Sequence, residues 1–216
     1  YKYARSNSIF VSDGGGNTFF SSLQNIRIKK GQRSITSGGS GCMGSGLPQS
    51  VGAALSGKNK VFCFIGDGSM QFNIQELQTI KHHNLNITIF LINNSGYQAI
   101  IDTQNAYFNG NKFGVNEESG LSLPNFQRII NAYQISYELF SSDYQLSENE
   151  IKRICHDNDS PKVIEILVKP DTPMYPKLSS GRKDQATSMR QLPGIVAMDP
   201  QVSDKTLKKL LEIDSW

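Results

Sequence analysis

Gly66-Asp67-Gly68-Ser69, followed after a helical span by Asn93-Asn94-Ser95-Gly96, is the stretch that decides the fold. An apolar run, Val61 to Ile65, delivers Asp67 to the carboxyl end of one strand, and a second, Ile87 to Ile92, delivers Asn94 to the end of the next. Met70 to about His83 carries helical spacing between them. Asp67 and Asn94 lie 27 positions apart, enough for a strand-helix-strand unit that brings both side chains to one rim. A hard divalent cation such as Mg²⁺ takes oxygen donors and leaves room for phosphate and water. Asp67 supplies charge, Asn94 a side-chain carbonyl and Gly96 a backbone carbonyl. Gly68 and Ser69 open the helix, so their amides and the positive end of its dipole face an anion. The stretch predicts a clamp for Mg²⁺ and a diphosphate.

Upstream, Ser8 to Ser12 reads as a short strand, and Asp13-Gly14-Gly15-Gly16-Asn17 as a tight loop opening into a helix from Thr18 to about Leu23, with Asn17 or Thr18 as cap or anion ligand. Ser34 to Ser37 leads into the most glycine-dense segment, Gly38 to Gly46, which feeds a helix carrying Leu47, Val51, Ala54 and Leu55 and ending by Gly57. Downstream, helices are predicted over Tyr97 to Tyr107, Pro124 to Ala132 (started by Ser122 or Leu123), Ser147 to His156 and Ser203 to Ile213. Short strands are predicted over Ile135 to Leu139 and Lys162 to Val168. Phe108 to Ser119 is a loop of functional length. Strands alternating with helices predict an α/β fold, a parallel sheet sandwiched by helices in three layers, with ligands at the carboxyl ends of the strands.

At 216 residues with 38% apolar composition, the chain buries a sizeable core. A net charge of +3, scattered apart from Lys205 to Lys209, asks for neither nucleic acid nor an anionic membrane. Cys42, Cys63 and Cys155 show no metal-ligand spacing and predict a reduced protein. No apolar run approaches the roughly 18 residues that span a bilayer. These features predict a soluble, cytoplasmic protein. Because the sequence opens Tyr1-Lys2-Tyr3 without an initiator Met, a C-terminal portion of something longer is expected.

Gly39-Ser40-Gly41-Cys42-Met43-Gly44 matches the GxGxxG dinucleotide fingerprint, and Asp67 follows at a strand end. The segment before it holds Ile35 as its only apolar residue, whereas a dinucleotide-binding first strand is a buried apolar run. An NAD-dependent oxidoreductase also leaves Gly68, Ser69 and the paired asparagines unexplained. His82 and His83 read as a solvated helix end.

The Asp67 and Asn94 unit resembles the thiamine diphosphate motif shared by 2-oxo acid decarboxylases, pyruvate oxidases and acetolactate synthases. Ser37 to Pro48 looks like the segment that holds the cofactor's pyrimidine in acetolactate synthase-like enzymes. Nearly all of residues 8 to 180 resembles their C-terminal, diphosphate-binding domain, with 181 to 216 left as a tail. The resemblance implies Asp67, Asn94 and the Gly96 carbonyl as Mg²⁺ ligands. For the cofactor it implies Gly66, Gly68, Ser69 and Tyr97 around the clamp, with Gly16, Asn17 and Thr18 from the first loop. It implies Gly41, Cys42 and Met43 at the pyrimidine, the Gly41 carbonyl accepting from its amino group and Met43 wedged between the two rings. That bend brings the 4'-imino nitrogen next to thiazolium C2. A polarizable, unbranched Met suits such a gap.

By the same resemblance, the parent is a thiamine diphosphate- and Mg²⁺-dependent enzyme that decarboxylates a 2-oxo acid, pyruvate first, and transfers the acyl anion equivalent to a carbonyl acceptor. A simple 2-oxo acid decarboxylase and a non-catalytic subunit retaining the fold are the alternatives. FAD is left open. The family's activating glutamate lies in an N-terminal domain, so no catalytic residue is expected in this chain, and a site shared between subunits implies a homodimer or homotetramer. Tyr97 to Gln104 lacks the tryptophan of housekeeping acetolactate synthases. Ile100, Ile101 and the loop from Tyr107 to Gly114 are the expected substrate walls, and Asp171 to Ser180 the expected lid.

Overall fold

The computed structural model describes residues 1–57, 59–141, 143–156 and 160–170, together with Thr172, Lys177–Leu178, Met198–Asp199, Ser203 and Lys205. The expected lid from Asp171 to Ser180, the tail from 181 to 216 and the helix from Ser203 to Ile213 lie, apart from those few positions, outside the described residues.

Short apolar runs, buried on both faces, form the centre of a six-stranded sheet. Its strands are β1 (Ile9–Ser12), β2 (Arg33–Thr36), β3 (Val61–Gly66), β4 (Ile87–Asn93), β5 (Ser136–Ser141) and β6 (Lys162–Leu167). They run parallel in the order β2-β1-β3-β4-β6-β5. A separate antiparallel ladder pairs β7 (Lys177–Leu178) with β8 (Met198–Asp199).

Odd positions of the central strands, Ile9, Val11, Val61, Cys63, Ile65, Ile87, Ile89 and Leu91, share one apolar cluster. Onto it pack Leu47, Ala53 and Ala54 of helix α2 (Gly46–Leu55), Leu77 and Ile80 of α4 (Glu76–His82), and Phe126 and Ile130 of α6 (Phe126–Ala132). On the opposite face Phe10 stacks on Phe62 at 5.5 Å and Phe64 on Phe90 at 5.0 Å. Cys155 and Ile151 of α7 (Glu148–His156) cover that second layer. Each fully buried Ile, Leu or Phe is worth about 1.5–3 kcal/mol, and they concentrate in β1, β3 and β4. The rigid part of the chain therefore lies directly beneath Asp13, Asp67 and Asn94.

The remaining helices are α1 (Gly16–Asn25), α3 (Asp67–Met70) and α5 (Gln98–Tyr107). Three boundaries differ from expectation for identifiable reasons. Helix α1 starts at Gly16 with Gly15 as its N-cap and no side-chain cap, so Asn17 and Thr18 fall inside its first turn. The span expected as one helix from Met70 to His83 breaks into α3, a 3₁₀ turn over Gln71–Asn73, and α4. The break is where the chain passes the glycine turn: a Cβ on Gly44, whose φ is +83°, would lie 2.4 Å from Phe72 Cβ, and Asn73 Nδ2 donates to the Gly44 carbonyl at 2.9 Å. Helix α6 is capped by the Asn125 side chain, which accepts from the Arg128 amide at 2.9 Å. A true N-cap thus outcompetes the expected start at Ser122 or Leu123.

Candidate functional site

Register places the site. Gly66 pairs with Ile92 across β3 and β4, so Asp67, one residue beyond that pair, and Asn94, two residues beyond it, both lie at the sheet's carboxyl rim, where the Asn94 amide reaches Asp67. Asp67 is only 2% exposed. Its Oδ1 accepts from the Gly68 amide at 2.6 Å, and its Oδ2 accepts from the amides of Asn94 and Gly96, each at 3.1 Å. Both latter amides reach one oxygen because Ser95 between them is left-handed, at φ 61°. Burial pushes the Asp67 carboxyl from 3.8 up to about 6, while the Gly68, Gly96, Asn94 and Ser95 amides pull the other way. Among the described residues no lysine or arginine forms an ion pair with it.

The donor set fits a hard divalent cation. One terminal atom of the Asn94 amide lies 2.9 Å from the Gly96 carbonyl oxygen and 3.2 Å from Asp67 Oδ2. With nitrogen in that place the amide donates to both. With oxygen there, three acceptors converge without a proton between them, an arrangement that a cation holds together. The converging donors are all oxygens, and among the described residues no group of three or more His, Cys, Asp or Glu could hold a metal.

A cleft opens from this rim. Gly66, Asp67, Gly68 and Ser69 line it together with Asn94, Gly96 and Tyr97. Gly16 and Thr18 of the first loop and helix, and Met43 of the glycine turn, line it as well. The Tyr97 ring lies on Gly68, where an added Cβ would sit 2.0 Å from Tyr97 Cε1. Gly41 and Cys42 are not among the lining residues; both are exposed, and Gly41 is left-handed at φ 55°. Asn17 is in the first turn of α1. Of the expected substrate walls, Ile100 lines the cleft and is 42% exposed. Ile101 does not: at 4% exposure it is packed inward, because consecutive positions on α5 point about 100° apart.

No motif in the sequence singles out Asp13, yet it is fully buried and joins the two glycine loops. Its Oδ1 accepts from the Gly46 amide at 2.8 Å and its Oδ2 from the Gly15 amide at 3.1 Å. One signal points to it, since Asp13 ends an apolar strand just as Asp67 does. Asp13→Asn puts an NH₂ where one of these amides points, leaving a buried donor without an acceptor. Loss of about 1–3 kcal/mol of stability is the expected result, measured by urea denaturation, with a wild-type midpoint as the contrary result.

The NAD arrangement is not reproduced. Strand β2, ahead of the fingerprint glycines, is an edge strand with Arg33 and Ser34 exposed, and α2 begins only at Gly46.

Residues 13–166 match the family model described as thiamine pyrophosphate enzyme, C-terminal TPP binding domain. The chain belongs to this family. It is 30% identical over 182 residues to the acetolactate synthase large subunit of Lactococcus lactis, covering 83% of this chain and 30% of the relative. It is 36% identical over 134 residues to the large subunit from Buchnera aphidicola of Schizaphis graminum, covering 62% and 23%. To the acetolactate synthase isozyme 1 large subunit of Escherichia coli it is 30% identical over 178 residues, covering 81% and 30%. The chain thus spans under a third of the length of these relatives. Among solved structures, the thiamine diphosphate-dependent 4-hydroxybenzoylformate decarboxylase of Rhodococcus jostii superposes with a TM-score of 0.64 at 21% identity, over 80% of this chain and 31% of that one. That likeness confirms the three-layer parallel α/β fold. No helix among the described residues is long and apolar enough to cross a membrane.

Proposed function

We propose that residues 1 to 180 form the diphosphate- and Mg²⁺-binding domain, with 181 to 216 a tail, of an acetolactate synthase-like enzyme acting on a 2-oxo acid, with pyruvate as first candidate. The observation that carries this reading is the convergence of Asp67 Oδ2, the Asn94 amide and the Gly96 carbonyl around a buried carboxylate without a cationic partner among the described residues. Asp67, Asn94 and Gly96 would hold Mg²⁺. Gly66, Gly68, Ser69 and Thr18, with Gly16 and Asn17 beside them, would face the diphosphate, and Met43, Gly41 and Cys42 would meet the pyrimidine. Thiamine diphosphate held there would supply a carbon nucleophile and an electron sink for decarboxylation of a 2-oxo acid. The chain's own residues would bind, orient and exclude water: the Asp67 carboxylate would offset part of the metal's charge, while Met43 and Tyr97 line the cleft. The activating glutamate is assigned to a domain outside this chain, and the half-open pyrimidine end, with Gly41 and Cys42 exposed, fits a site completed by a second subunit.

Isothermal titration with thiamine diphosphate tests the reading. Binding that requires Mg²⁺ supports it, and binding of NAD in its place overturns it.

The same titration run against pH reads Asp67. Its carboxyl is pushed from 3.8 up to about 6, so in the metal-free fold this group contributes stability fully present below 3.8 and lost as pH rises through about 6. The metal needs the ionised form. The Mg²⁺-dependent part of the affinity is therefore expected to be full above pH 7 and to fall about tenfold per pH unit once well below the folded value of about 6. Mg²⁺-dependent affinity that holds unchanged down to pH 5 contradicts this assignment.

A further inference from the structure

A second buried carboxylate, Glu165, lies behind the loop that carries Asn94 and Gly96. Glu165 lies mid-strand in β6, paired with Leu91 and Leu139, and is 5% exposed. A buried carboxylate in an apolar sheet persists only where donors meet it. Here there are two: Asn93 Nδ2 donates to Oε1 and the Tyr137 hydroxyl donates to Oε2, both at 2.6 Å. The other end of the Asn93 amide, Oδ1, accepts from the Ser95 amide at 3.0 Å. Fixing the Asn93 nitrogen on Glu165 thus fixes which way its oxygen points, and the oxygen holds Ser95 in the left-handed conformation that turns the amides of Asn94 and Gly96 onto Asp67. A left-handed residue other than glycine is unfavourable by roughly 1 kcal/mol and needs such a hold.

We propose that Glu165 is a positioning residue for the metal site, acting through Asn93 and Ser95 to set the apposition of Asn94 and Gly96 to Asp67. The inference rests on the reading of Asp67, Asn94 and Gly96 as metal ligands. Partners one step outside a metal's ligands commonly shift affinity by about 10–100-fold. Tyr137 is held on the far side of Glu165, and burial together with that carboxylate raises its hydroxyl pKa.

The test is Mn²⁺ binding, counted by EPR, to the 216-residue chain at saturating thiamine diphosphate, with circular dichroism and the ligand-free melting temperature recorded for each variant. Glu165→Leu is expected to weaken Mn²⁺ at least tenfold at a temperature where the variant is fully folded. Glu165→Gln, whose carbonyl still accepts from Asn93 and whose NH₂ can donate to the Tyr137 oxygen, is expected within threefold of wild type. Should Glu165→Leu not fold, Asn93→Ala cuts the same link from the other side and is expected to give the same loss. In the double variant the loss is no larger than in either single one, because the two residues act as one unit. Wild-type Mn²⁺ affinity in folded Glu165→Leu or Asn93→Ala, or additive losses in the double variant, overturns the proposal while leaving the metal site standing. A wild-type chain that binds no Mn²⁺ removes both together.

Discussion

Asp67→Ala is expected to lower Mg²⁺-dependent affinity for thiamine diphosphate by at least about a hundredfold, close to 2.8 kcal/mol, while the chain still folds. The affinity loss follows from the donor set: Asp67 provides the charge, and Asn94 and Gly96 supply neutral oxygens that hold a divalent cation weakly once it is gone. Retained folding follows from two opposing terms of similar size. Removing the side chain strands the amides of Gly68, Asn94 and Gly96, at about 1 kcal/mol each. It also relieves burial of a carboxylate raised from 3.8 to about 6, worth about 3 kcal/mol at neutral pH. The ligand-free melting temperature is therefore expected to move by only a few degrees, and titration calorimetry on a folded variant isolates the site. Thiamine diphosphate binding indifferent to both Mg²⁺ and the substitution overturns the metal assignment.

The parts legible in the sequence are those governed by local pattern. The apolar runs Val61 to Ile65 and Ile87 to Ile92, with the short strand at Ser8 to Ser12, mark the strands of the sheet's centre, and the spacing of Asp67 and Asn94 places both on one rim. The features that escape depend on contacts between segments distant in sequence. Asp13 reaches Gly46 across 33 positions and Asn93 reaches Glu165 across 72, separations at which no periodicity informs. Glu165 in particular interrupts an apolar strand, and the Asn93 and Tyr137 side chains that hydrogen-bond to it explain why a carboxyl group is tolerated there. The break between α3 and α4 is hidden for the same reason, since Asn73 prefers the Gly44 carbonyl to a continuous helix.

Gly14→Ala is the substitution expected to damage the fold of the site most. A Cβ at Gly14 would lie 2.3 Å from the Gly41 carbonyl carbon and 2.5 Å from both the nitrogen and the oxygen of Cys42. Those atoms are backbone and cannot rotate away, and the Asp13 side chain ties Gly15 and Gly46 on either side of the contact. Relief requires the Gly38 to Gly46 turn to move bodily, at about 2–3 kcal/mol, or roughly 5–10 °C in melting temperature for a chain of this size. Two controls separate overlap from the mere loss of a glycine. Gly39→Ala meets nothing within 4 Å and has no left-handed φ to strain, so it is expected to melt with the wild type. Gly68→Ala meets the Tyr97 ring at 2.0 Å, but a ring can swing out, so its effect is expected to fall on binding more than on stability. Because the displaced turn carries Gly41 and Met43, Gly14→Ala is also expected to lose thiamine diphosphate affinity even at temperatures where it is folded. If it melts with Gly39→Ala, the first loop and the glycine turn do not share a wall, and Gly41 loses its claim to the cofactor's pyrimidine end.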